Sequence, residues 1–103
     1  MPATNTRVAV NELMKTLSQE LGPFGITANV IATGPFDTAL SRDYRSSGTG
    51  VKTAEWYQKM LPVGRWGRPE EMGYLAAYLC SEKAAFLTGE TIRIDGGYTK
   101  SLF

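Results

Sequence analysis

The 103-residue sequence contains no histidine and a single cysteine, Cys80. Histidine-dependent triads, Cys/His zinc sites and disulfide scaffolds are thereby excluded, and a reducing, cytoplasmic setting is the expectation. No apolar run approaches the roughly 18 residues of a membrane span, and the opening MPATNTRVAV lacks the charged region and apolar core of a signal peptide. An excess of one charge is missing too. Eleven Lys and Arg face ten Asp and Glu, the net charge is +1, and the charges are spread along the chain, so no basic face is offered to nucleic acid or to an acidic membrane. Neither GxGxxG nor GxxxGxG occurs, which removes the glycine-rich turn that seats a pyrophosphate on a helix amino terminus. Internal repeats and low-complexity segments are absent. What remains is one soluble globular domain at most, 43% hydrophobic and 20% charged, near the size at which a single core begins to suffice.

Against those absences, the stretch Ile26 to Thr38, ITANVIATGPFDT, is the feature around which the other elements can be ordered. Ile26, Ala28, Val30 and Ala32 alternate with Thr27, Asn29, Ile31 and Thr33. The near-continuous apolar character predicts a short strand over 26–33, buried on both faces as in a parallel sheet. Thr33-Gly34-Pro35-Phe36-Asp37-Thr38 follows, with a glycine for close backbone approach, a proline of fixed φ and two hydroxyls able to bond a polar ligand. In open α/β sheets that end of a strand is where ligands sit. An ordinary strand closed by a Gly-Pro turn reads as well from this stretch alone, so the flanks decide.

Val10, Leu13, Met14, Leu17 and Leu21 draw one apolar stripe and predict a helix over 8–22, capped by Thr4, Asn5 or Thr6 and ended by Gly22-Pro23. A second helix, over 69–80, starts at Pro69, a residue suited to the first helical position. Glu70 and Glu71 stand where the helix dipole favours negative charge, and Met72, Leu75, Ala76 and Leu79 form its stripe. Residues 90–95, with Ile92 and Ile94 on one side and Thr91 and Arg93 on the other, read as an edge strand. Strand, helix and strand make a βαβ unit, whose two strands should be parallel neighbours. Residues 39–63 lose regular period. Ser41, Arg42, Asp43 and Ser46 to Gly50 are turn material, Thr53 to Met60 can make two helical turns capped by Thr53, and Tyr44, Trp56, Tyr57 and Met60 could face either a ligand or the core. The tail 96–103 ends in Leu102-Phe103 and is expected to dock.

The series Asn11-Glu12-Leu13, Leu17-Ser18-Gln19-Glu20-Leu21, Gly25 to Ile31, Gly34-Pro35-Phe36-Asp37-Thr38, Gly64-Arg65-Trp66-Gly67-Arg68-Pro69-Glu70-Glu71, Leu79-Cys80-Ser81, Thr88-Gly89-Glu90 and Asp95-Gly96-Gly97 resembles the carboxyl-terminal part of short-chain dehydrogenases/reductases. The resemblance runs from about Arg7 to Tyr98, with the motifs in family order. It implies an α/β chain forming the last portion of a doubly wound, Rossmann-like NAD(P)-binding fold, in the order helix, strand, lid, helix, strand. It implies further that Thr33, Gly34, Phe36 and Thr38 touch the nicotinamide end of NAD or NADP, through backbone groups near Phe36 and the hydroxyl of Thr38. By the same resemblance, 39–63 is a substrate lid over a small-molecule carbonyl or alcohol. The helix from Met72 to Leu79, the last strand and the tail are one subunit interface, and the first helix is part of another, so the partner is a second copy or a full-length relative. One departure is plain: Thr33-Gly34 stands where the family has Pro-Gly, which alters backbone stiffness.

The family's catalytic Tyr and Lys fall on Ala3 and Arg7, so no catalytic residue is carried over, and no metal ligand set is present. A phenol passes the proton to or from the substrate oxygen, and an alanine cannot. Arginine, permanently charged and differently shaped, does not replace the lysine. Tyr44, Tyr57, Tyr74, Tyr78 and Tyr98 remain, none followed four residues later by lysine. Two readings follow. In one, the chain is the carboxyl-terminal portion of an NAD(P)-dependent oxidoreductase, a partial product not competent alone. In the other, it is a non-catalytic interaction module of that descent. Turnover by the chain alone with NADH or NADPH, across keto-acids, keto-esters and sugars, is expected to stay at background. Steady-state turnover that Thr38→Ala abolishes would overturn that expectation.

Overall fold

The structure, a computed structural model, describes residues 2–46 and 54–102. Four α-helices and two strands lie along the described residues: α1 (Pro2–Leu21), β1 (Val30–Thr33), α2 (Ala39–Ser46), α3 (Ala54–Met60), α4 (Pro69–Leu79) and β2 (Thr91–Ile94). The strands form a two-stranded sheet. They run parallel at constant register, because Val30 N–H donates to Glu90 C=O at 2.9 Å and Gly34 N–H to Ile94 C=O at 3.0 Å. The chain divides into two compact units, Met1–Ala32 with Ala76–Ile92 and Thr33–Leu75 with Arg93–Phe103, rather than the single body expected from its length.

In the first unit α1 begins at Pro2, so the expected caps Thr4, Asn5 and Thr6 lie inside it. The helix ends in a 3-10 turn over Gly22–Phe24, and the left-handed residue that stops it is Gly25 (φ 75°), whose N–H returns to Gly22 C=O, rather than Gly22. Ser18, read from the sequence as part of the polar face, is buried at 3% exposure, while Val10 and Leu13 of the apolar stripe are exposed. The reason is local. Ser18 Oγ donates to Lys15 C=O at 2.6 Å, and a Cβ on Gly89 would lie 2.7 Å from that same Oγ. A small, internally satisfied side chain is what lets the Thr88-Gly89 turn come so close.

The strand expected over 26–33 is shorter, Val30–Thr33, because side chains take over part of the pairing before it. Ala28 N–H donates to Thr88 Oγ1 at 3.0 Å, and Asn29 donates to Leu87 C=O and accepts from Glu90 N–H. Nor is the strand buried on both faces. Ala28 is the buried position, Val30 to Ala32 are half-buried, and Ile26 is exposed. An apolar cavity of about 790 Å³ opens beside it, lined by Met14, Leu17, Leu21, Ile31 and Leu79 among others.

The second unit holds the excursion and the tail. Residues 39–46, read as turn material around Ser41 to Asp43, are helical, because Thr38 provides a cap that the sequence pattern did not advertise. Tyr57 of α3 packs on Trp56 and Trp66 with ring centroids 5.1 Å apart, and on Tyr98 at 6.3 Å, so this part of the excursion is tied to the tail by aromatic contact. Leu61 is buried, and Val63 N–H donates to Gly96 C=O at 3.3 Å. Along the tail Arg93 donates to Ser101 C=O at 2.8 Å, whereas Leu102 is exposed. The side chain of Tyr44, the expected cap Thr53 and Phe103 lie outside the described residues.

Among the described residues only Ala28, Leu61 and Ala84 are buried hydrophobics, against a dozen large exposed ones including Tyr74, Tyr78 and Phe86. A complete domain of this length buries about 60 to 70% of its unfolded surface and keeps a margin of roughly 5 to 15 kcal/mol. With so little buried, that margin is largely gone, and the outer edge of β1 is open to pairing. Analytical ultracentrifugation at micromolar concentration is therefore expected to show dimers or larger species. A monodisperse monomer that unfolds cooperatively above about 50 °C would contradict it.

Candidate functional site

The second unit is organised by the end of β1. A Cβ on Gly34 would stand 2.5 Å from Asp95 Cβ and 2.6 Å from its Cα, closer than any side chain tolerates, so only glycine lets the two strand ends lie together. Past that point the chain forms a second parallel contact. Asp37 N–H donates to Gly67 C=O at 2.8 Å, and Gly67 N–H donates to Pro35 C=O at 3.0 Å, pairing Phe36 with Gly67. Here too a glycine is needed, since a Cβ on Gly67 would meet the Phe36 ring at 2.7 Å.

Thr38 then starts α2. Its Oγ1 accepts the Ser41 N–H at 3.2 Å, and its own N–H donates to Ser41 Oγ at 2.9 Å, a reciprocal cap. Ser41 Oγ also lies 2.9 Å from the carbonyls of Phe36 and Thr38. Sequence reasoning passed over Ser41. The usual signal for such a cap is Glu or Gln at the third helical position, and a serine there looks like loop material.

All four residues expected at a cofactor, Thr33, Gly34, Phe36 and Thr38, line one cavity of about 480 Å³. Pro35 and Ser41 complete that side, and Trp66, Pro69 and Met72 form the other. Thr33 and Thr38 are exposed to it and Phe36 is half-buried. Among the described residues the lining carries hydroxyls, backbone and apolar side chains but no charged residue. Arg65 and Arg68 are close in sequence yet engaged elsewhere, with Glu71 Oε1 2.8 Å from one and 3.2 Å from the other. Arg65 also donates to Trp66 C=O at 3.1 Å. The Arg65 hydrogen bond holds the Glu71 carboxyl below its ordinary range, with the charges of Arg65 and Arg68 adding to it. Arg42 pairs with Asp37 at 3.4 Å.

This donor set fits the planar, phosphate-free nicotinamide end of a dinucleotide. Aromatic and aliphatic walls suit a ring, and Thr33 and Thr38 suit a carboxamide. It does not fit a pyrophosphate, which needs cations or a helix amino terminus opened by glycines. Ala3 and Arg7, the positions matching the family's catalytic pair, both lie in α1, and Arg7 is exposed. Among the described residues no group of three or more His, Cys, Asp or Glu could hold a metal ion, and no helix is long and apolar enough to cross a membrane. Cys80 is a free, exposed thiol just past α4.

Asp95 closes the other side of the Gly34 contact. Its carboxylate accepts from Gly97 N–H at 3.0 Å and Thr99 N–H at 2.9 Å. The Thr99 side-chain hydrogen bond is the main cause that holds it below the ordinary aspartate range; burial opposes it, and the backbone bonds of Thr99 and Gly97 and the charge of Arg93 each add a smaller lowering effect.

Comparison with known proteins places this geometry. The family model described as enoyl-(acyl carrier protein) reductase matches residues 3–99. A tropinone reductase homolog of Arabidopsis thaliana is 39% identical over 98 residues, covering 95% of this chain and 36% of that protein. The 3-oxoacyl-(acyl-carrier-protein) reductase of rhamnolipid biosynthesis from Pseudomonas aeruginosa is 37% identical over 93 residues, covering 90% of this chain and 35% of that protein. Among solved structures YwfH, an NADPH-dependent reductase involved in bacilysin biosynthesis, superposes with a TM-score of 0.84 at 33% identity, over 92% of this chain and 38% of that one. The chain thus spans little more than a third of the length of the relatives it matches.

A carboxylate whose folded pKa is depressed stabilises the fold above its unfolded value, about 3.9 for aspartate. That contribution is lost as pH falls through the lower folded value. Asp95→Asn should therefore lower the unfolding temperature by a few degrees at neutral pH and make little difference near pH 2. Equal effects at both pH values, followed by circular dichroism, would show that the carboxylate's charge is not what holds the turn.

Proposed function

The chain belongs to the short-chain dehydrogenase/reductase family and has a partial Rossmann α/β fold, and from that premise we propose that it forms the nicotinamide-side, carboxyl-terminal portion of an NAD(P)-dependent oxidoreductase. The observation that carries the reading is that Thr33, Gly34, Phe36 and Thr38 line one cavity, with no charged side chain among its described lining residues. A nicotinamide cofactor supplies or accepts the hydride in this class of chemistry. The chain's own part is to hold and shelter that ring. Phe36 and Trp66 form an apolar wall for it to pack against. Thr33 and Thr38 offer hydroxyls to its carboxamide, and Gly34 sets the backbone path. Proton transfer and pyrophosphate binding would come from other residues, because Ala3 cannot exchange a proton and no glycine-rich turn is present. The substrate is a small carbonyl compound or alcohol. NAD and NADP differ at the adenosine end, so the residues here do not discriminate between them.

The second reading, a non-catalytic module that pairs with a copy of itself or with a full-length relative, is favoured by the exposure of Tyr74 and Tyr78, one turn apart on α4. Both readings use the same fold and differ in whether the cavity takes a ligand.

The test is a two-ligand titration of the full chain by heteronuclear NMR. Nicotinamide mononucleotide, at roughly millimolar concentration, is expected to shift the backbone amides of Gly34, Phe36 and Thr38. Adenosine 5′-monophosphate, which carries the same phosphate on the other half of the cofactor, is expected to leave them in place. Identical shifts from both, or none from either, would remove the nicotinamide assignment and leave the interaction module.

A further inference from the structure

Ser41 does more at the cavity than a helix cap requires. The cap itself uses two bonds, Thr38 N–H to Ser41 Oγ at 2.9 Å and Ser41 N–H to Thr38 Oγ1 at 3.2 Å, and the Thr38 N–H is shared with the Phe36 carbonyl at 3.0 Å. Yet Ser41 Oγ also reaches, at 2.9 Å, the carbonyl of Phe36, two residues upstream of the cap and itself on the cavity wall. The Thr38 carbonyl lies at the same distance and competes for the one hydroxyl hydrogen. A Glu or Gln, the usual residue at this position, would serve the cap. A carboxylate, however, is an acceptor only and could not bond the Phe36 carbonyl.

The second consequence falls on Thr38. With a lone pair of Oγ1 occupied by the Ser41 N–H, the hydroxyl's hydrogen cannot point at that amide and is free for another acceptor, and Thr38 and Ser41 both line the cavity. We propose that Ser41 is a positioning residue of the nicotinamide-side cavity: by bonding Thr38 and the Phe36 carbonyl together it presents the Thr38 hydroxyl as a donor to a neutral carbonyl oxygen of the ligand, of the carboxamide class. The proposal rests on the reading of the cavity given above. It explains why the loop carries a hydroxyl rather than a carboxylate three residues after Thr38.

Four variants of the full chain, titrated with nicotinamide mononucleotide by NMR and melted in parallel, separate positioning from capping. Thr38→Val, which removes the donor at nearly constant shape, tests the cavity reading and should weaken binding by about three- to tenfold, the effect of one hydrogen bond. Ser41→Ala should weaken binding by a similar factor and lower the unfolding temperature as well, since cap and tether are both lost. Ser41→Glu should keep the unfolding temperature of the parent but bind as weakly as Ser41→Ala. Ser41→Thr, which retains the hydroxyl, should restore both. If Ser41→Glu binds like the parent, or if Ser41→Ala does so while Thr38→Val is impaired, Ser41 only caps the helix and the proposal is overturned. If Thr38→Val binds like the parent, the cavity reading fails first and the proposal fails with it.

Discussion

The candidate site depends on the contact between Gly34 and Asp95. With a Cβ at position 34 the strand ends could not close, because the atoms it would meet at 2.5 and 2.6 Å belong to the Asp95 Cβ and backbone, which have no rotamer to escape into. Asp95 cannot retreat either, since its carboxylate is bonded by Gly97 and Thr99. The path of the chain past Gly34 is therefore set before Pro35 adds its fixed φ. The Phe36 to Gly67 pairing and the Thr38 cap follow at defined places along it. A loop made this way can hold a hydroxyl and a ring in register without regular secondary structure, which is what a ligand cavity needs of its first contacts.

Burial points the other way. The cavity lining and the turn around Asp95 are well bonded, whereas the apolar faces of the helices and of β1 are mostly uncovered. A protein that folds to expose Tyr74, Tyr78, Phe86, Val10 and Leu13 has more apolar surface than a monomer of this size usually shows. The relatives supply a physical reason: they are close to three times as long over the same architecture, and the chain spans about 36% of such a protein. Local hydrogen bonding can specify the loops, but the hydrophobic effect scales with buried area and needs the remaining layers.

How far the sequence could be read depends on which interaction sets each element. The helix from Pro69 was legible because its start signals, a proline and two glutamates, act within one turn. The alternation of Thr91 to Ile94 was legible because the pleat has a period of two, and the exposed and half-buried residues do alternate. Strand length was not legible, since it depends on Asn29 and Thr88 bonding backbone groups across some sixty residues of sequence. Nor was the burial of Ser18, which follows from the approach of Gly89 and not from any helical period. The convergence of Thr33, Gly34, Phe36 and Thr38 was indicated by their family resemblance, while Ser41 and Trp66 were missed as lining residues because the first resembles a turn residue and the second a packing aromatic.

The charged side chains near the cavity's loops are engaged with one another rather than with its lining. Three arginines lie near its loops in sequence and share two carboxylates: Arg42 pairs with Asp37, and Arg65 and Arg68 both pair with one oxygen of Glu71. Such exposed pairs add little stability. Their effect is on the field. Pairing shortens the reach of each arginine's field, and the one positive charge left over among these groups is exposed and screened by salt. What then remains for recognition is short-range: the hydroxyls of Thr33 and Thr38 and the faces of Phe36 and Trp66. A ligand that needs charge for its affinity finds little of it on this lining, whose described residues offer hydroxyls, backbone groups and apolar faces.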